Sequence, residues 1–103
     1  MTNQVTFPVA AGTPSGNQTA TATLSISIND STGAQVAAAT VAGTATSIGP
    51  LTLTVAAGYK ATLFATDSSG AKNTNPPSIT FDVTAPPPPP VPPDPTLGTP
   101  TMP

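Results

Sequence analysis

From Thr19 to Ile28 the sequence alternates for ten residues without a break. Ala20, Ala22, Leu24, Ile26 and Ile28 interleave with Thr19, Thr21, Thr23, Ser25 and Ser27. Successive side chains on a β-strand point to opposite faces, so a strict period of two means one face buried and one face wet. No helix can hold that pattern, because its period is 3.6. The chain must therefore contain a half-exposed sheet with a strand over this stretch.

Weaker copies of the pattern recur. Val5, Phe7 and Val9 alternate around Thr6 and Pro8, and Pro8, which has no N–H to donate, marks this strand as an edge. Leu51, Leu53 and Val55 alternate with Thr52 and Thr54. Tyr59, Ala61, Leu63 and Ala65 alternate with Lys60, Thr62, Phe64 and Thr66, and Ile79, Phe81 and Val83 with Ser78, Thr80, Asp82 and Thr84. Turn-forming residues bound them at 11–16, Gly49-Pro50, Ala57-Gly58, Ser68-Ser69-Gly70 and Asn75-Pro76-Pro77. The run Gln35–Ala42 contains four alanines and reads either as a short helix or as a strand. Its β-branched Val36, Thr40 and Val41, in an all-β context, favour one or two short strands. Short strands at this spacing predict an antiparallel β-sandwich of about seven strands.

Organisation follows from proline. Residues 85–103 hold ten of the fifteen prolines and cannot enter a packed core, so the sandwich occupies 1–84 and the remainder is a carboxy-terminal arm. Ala85–Pro95 predicts a polyproline II rod, which at about 3.1 Å per residue reaches roughly 34 Å. Beyond it come Leu97 and Met102. Three readings of the arm are open: a strap that lies along a partner, an inter-domain linker, and a ligand for proline-binding domains. A rod that is already stiff loses little entropy on docking, which favours the strap.

Several chemistries are excluded. There is no Cys, His, Trp, Arg or Glu, so thiol and imidazole catalysis, a Ser-His triad and zinc or haem ligation lack their residues. With Lys60 and Lys72 as its two basic side chains, the chain has no footprint for nucleic acid. Its four carboxylates come without an aromatic platform, which argues against glycoside hydrolysis. The expectation is no enzyme and no cofactor. Only 6% of residues are charged, against about 25% in an average domain. Threonine, serine, asparagine and glutamine must cover the surface instead, which suits life in an assembly or outside a cell. The amino terminus shows no secretory leader, and no apolar run approaches the ~18 residues of a membrane span. With Met1 as natural start the chain is made in a cytoplasm; as a domain excised from a secreted protein, the Met is an addition.

The segment from Leu53 to Gly70 carries a leucine, a Gly-containing corner, Tyr59, an alternating strand and Asp67-Ser-Ser-Gly70. In this it resembles the penultimate strand of immunoglobulin-like and fibronectin type III-like domains. The resemblance spans about residues 2–84 and lacks the Cys pair and core Trp of antibody domains, which moves it toward bacterial and phage modules. It implies that Tyr59 forms a tyrosine corner, with its hydroxyl bonded to nearby backbone. It also implies a structural role in a virion, decorating or cementing a capsid or tail. The alternative is an adhesion or carbohydrate-binding module on a bacterial surface, with the arm as linker.

Candidate sites follow from these readings. Asp30-Ser-Thr-Gly33 and Asp67-Ser-Ser-Gly70 are near copies of one turn, expected at the same pole of the sandwich. They read as a binding tip, as a weak calcium site, or more simply as turns in which Asp and Ser bond the local backbone. Asn17-Gln-Thr19 and Asn29-Asp-Ser31 match the glycosylation pattern, a coincidence in a Thr-rich chain. Phe64 points away from the core on its strand's alternation and is a candidate interface anchor, unless a bulge turns it inward or the 35–48 region covers it. The residues assigned to a partner are Phe64, Pro88, Pro90, Val91, Leu97 and Met102. The partners expected are other virion proteins and further copies of this chain within the assembly, with no nucleic acid or membrane.

Overall fold

A computed structural model describes residues 1–102. Among them there is no helix and there are six strands: β1 (Thr2–Pro8), β2 (Thr23–Asn29), β3 (Gln35–Ala42), β4 (Ser47–Thr54), β5 (Ala56–Thr66) and β6 (Ser78–Val83). All pairings are antiparallel, in a two-stranded sheet β1-β4 and a four-stranded sheet ordered β3-β2-β5-β6. The count is one below the seven expected. The Ala-rich stretch is a strand, as its β-branched residues favour.

β2 organises the larger sheet. Leu24, Ile26 and Ile28 stand opposite Val41, Ala39 and Ala37 of β3 on one side and Ala65, Leu63 and Ala61 of β5 on the other. Directly opposed residues share a face, so this register puts every alternating apolar side chain on the inner surface. Ser25 and Ser27 fall on the outer surface with Thr40 and Ala38 of β3 and Phe64 and Thr62 of β5. The strand begins at Thr23, whereas the alternation starts at Thr19. Ala22 still bonds Thr66 and Gly43 through its backbone, but residues 19–22 lie outside the strand, and Ala20 and Ala22 are exposed.

The small sheet closes the core. Phe7 of β1 and Ile48 and Leu53 of β4 pack over Leu24, Ile26, Ile28, Tyr59, Ala61 and Val83, all buried. Ile48 and Leu53 are five positions apart, so a regular strand would put them on opposite faces. A bulge corrects this: Val5 pairs with Leu51 and Phe7 with Ile48, so that Gly49 and Pro50 together oppose Thr6. Gly49 has φ +127°, and a Cβ there would lie 2.7 Å from the Val5 carbonyl oxygen, so only glycine fits. Gly49-Pro50, expected as a turn, thus lies inside β4. Ala57-Gly58 likewise lies inside β5, where a second irregularity falls between Ala56 and Tyr59.

Three of the four aromatics form a row through the core. Phe81 stacks on Tyr59 with centroids 5.5 Å apart and meets Phe7 edge-on at 5.3 Å. The Tyr59 hydroxyl donates to the Thr54 carbonyl at 2.6 Å, the backbone bond expected of it. No described residue beyond Thr84 belongs to a strand, and all of 85–102 is exposed. The radius of gyration is 22.4 Å, against about 13 Å for a compact chain of this length.

Candidate functional site

The two Asp turns are built alike. Asp30 Oδ1 accepts from the backbone N–H of Thr32 and Ala34 and from the Thr32 hydroxyl; Asp67 Oδ1 accepts from Ser69 and Ala71 in the same way. Each carboxylate thereby satisfies the donors of its own hairpin, the simplest of the three readings. They do not lie at one pole. β2 and β5 are antiparallel neighbours with Thr23 opposite Thr66 and Asn29 opposite Lys60, so the strand ends that carry Asp30 and Asp67 point in opposite directions. About eight strand rises, roughly 27 Å, separate Asp30 from Asp67, and the two aspartates cannot share an ion. No cluster of three potential metal-ligating acidic, His or Cys side chains occurs among the described residues.

Asp67 has one partner that Asp30 lacks. The Thr19 hydroxyl donates to Asp67 Oδ2 at 2.7 Å and ties the β1–β2 loop to the β5–β6 loop. The Ser69 and Thr19 hydroxyls and the Ala71 N–H hold the Asp67 carboxyl down at about 2. The Thr32 hydroxyl lowers that of Asp30.

Between these loops lies an open cleft of about 570 Å³. Leu24, Leu63 and Ala65 form its floor, and Asn17, Gln18, Thr19, Asn73 and Asn75 its rim, with Asp67 and Lys72 at one side. The wall is held firmly, because Asn73 imitates a strand partner: its N–H donates to the Ala65 carbonyl and its Oδ1 accepts from the Ala65 N–H, both at 3.0 Å. Such a lining offers amide and hydroxyl hydrogen bonds over an apolar base. It was not legible in the sequence, since residues 10–21 and 67–77 have no shared periodicity to announce that they meet.

Phe64 stands on the outer face of the larger sheet, opposite Ser25. Neither a bulge nor the 35–48 region hides it. It is half-buried, and the Lys72 ammonium sits 5.4 Å from the ring centroid, a cation–π contact made by the hairpin that follows β5. The arm residues lie elsewhere. Pro88, Pro90 and Val91 are on the extended segment, and Leu97 and Met102 beyond it are 100% and 83% exposed. Phe64 and the arm residues are therefore two separate surfaces. No family model, curated protein or solved structure matches the chain.

Proposed function

We propose that this chain is a non-enzymatic structural protein: an Ig-like sandwich that decorates or cements a phage capsid or tail. It attaches through its proline-rich arm and the outer sheet face around Phe64. The observation that carries this reading is the arm itself, which extends from the sandwich with Val91, Leu97 and Met102 exposed. A stiff strap loses little entropy on docking, and these side chains give it apolar contacts to offer a partner. The near-absence of charge fits a protein held by shape and apolar contact in a lattice.

The Ig-like assignment rests on the sheet order. Strands ordered β3-β2-β5-β6 over β1-β4, with the Tyr59 hydroxyl bonded five residues upstream at the entry to β5, fit such a sandwich without its first strand. The test is to add the purified chain to particles that lack it. Saturable binding supports the proposal, and no binding at saturating concentration defeats it.

A second reading, a carbohydrate-binding or adhesion module of a bacterial surface protein with the arm as linker, draws on the cleft between the β1–β2 and β5–β6 loops. Its amide rim suits a neutral, hydroxyl-rich ligand. Glycan-array binding that disappears on changing Asn73 or Asn75, with no particle binding, would favour it.

A further inference from the structure

β6 directs apolar side chains inward along its length: Ile79 stands opposite Ala61 and Phe81 opposite Tyr59. Val83 at its far end is buried, yet Ile79 is 57% exposed. The cause is the end of β1 at Pro8: Phe7, Pro8 and Val9 border the space beside Ile79 without covering it. An apolar groove of about 180 Å³ results, bordered by Phe7, Pro8, Val9, Leu63, Pro77 and Ile79. Among the described residues the outer edge of β1 has no strand partner, and none of its side chains is charged.

The arm is the matching unpartnered feature. Thr96–Thr99 carry backbone N–H groups that the proline rod lacks, and Leu97 is fully exposed. Reach decides whose groove they can fill. The arm leaves the sandwich after Thr84, whose carbonyl is held by Asn3, and Ile79 lies five strand rises away, about 17 Å. Pro86–Pro95 spans about 31 Å as a polyproline II rod. Folded back along its own β6, the rod would carry Leu97 well past the groove. We propose that the Thr96–Met102 segment of one copy docks in the β1/β6 groove of the next, Leu97 against Ile79, linking copies head to tail. Neither side carries a charge that must be desolvated. A heterologous contact of this kind links each copy to two others and builds rings where its rotation closes and open rows where it does not. The inference goes beyond the attachment reading and does not depend on it, because it concerns copies without any particle.

Sedimentation velocity over a concentration series of the full chain tests it. The mean mass should rise beyond that of a dimer, and both Ile79→Asp and Leu97→Asp should abolish the rise. Mixed together, the two variants should form a one-to-one dimer and nothing larger, since one supplies a sound arm and the other a sound groove. A chain that stays monomeric throughout, or association that survives Leu97→Asp, overturns the proposal. A spin label on Met102→Cys gives a reading that needs no change in the groove. Broadening of the Val9 and Ile79 amide signals in a second, isotopically labelled copy supports docking; rising mass without broadening overturns it. Self-association without particle binding would sink the attachment reading and leave this one standing.

Discussion

Asn3 Nδ2 donates to the Thr84 carbonyl at 3.0 Å, so the first strand holds the last residue of the sandwich. The arm begins one residue later, and all of its described residues are exposed. Sandwich and arm are thus joined at one anchored point.

Ending the chain after Thr84 should therefore leave the sandwich folded. The change in unfolding free energy should stay within about 0.5 kcal/mol, the range of surface changes that remove no packing. Urea denaturation of the two chains checks this, and particle binding should weaken or vanish. A truncated chain that unfolds would make the arm a structural strap.

Gly49→Ala should be far more damaging than its size implies. The substitution forces a Cβ toward the Val5 carbonyl at a φ that L-residues avoid, at a cost of about 1–3 kcal/mol. Thermal unfolding should show a clearly lowered Tm, whereas Gly98→Ala in the arm, with nothing near a Cβ, should show none.

Acid should act through the two turn aspartates. Both carboxyls sit below the ordinary 3.8 in the folded chain, Asp67 at about 2. A carboxyl whose folded value is depressed contributes stability above its unfolded value and loses it as pH falls toward the folded one. Stability should be level from neutral pH down to about 5 and then fall between about 4 and 2. Thermal unfolding against pH reads this. In Asp67→Asn the fall should be shallower, with Asp30 alone contributing.

Phe64→Ser should cost about 1 kcal/mol, because the ring is only half-buried and Lys72 covers one face. Ile26→Ala, from the buried core, should cost about 2–5 kcal/mol. If Phe64 anchors an interface, its replacement lowers particle binding at nearly unchanged stability; equal binding by both chains removes it from the interface.

β2 and β5 were legible because one face of each meets the core and the other meets water, which writes a period of two into the sequence. Phe64 was placed on the outer face by the same logic. The Ala37–Ala39 run was ambiguous, since alanine suits a helix as well as a shallow inner face. Gly49-Pro50 reads locally as a turn; only the register of β4 against β1, set by burying both Phe7 and Ile48, reveals a bulge. The poles of the Asp30 and Asp67 turns depended on which strands are neighbours, and that is a property of the whole sheet. The cleft and the β1/β6 groove arise beyond the ends of the β1-β4 sheet, which no local pattern encodes.

The account turns on an arm that its own sandwich does not hold. Backbone heteronuclear NOE values, measured at a dilution where the chain is monomeric, test this most directly. The N–H groups of Thr96, Leu97, Gly98, Thr99, Thr101 and Met102 should give values well below those of β2 and β5, with Val91 and Asp94 in the rod between. Values across 96–102 equal to those of the strands would mean that the arm packs on its own domain, and would contradict the account.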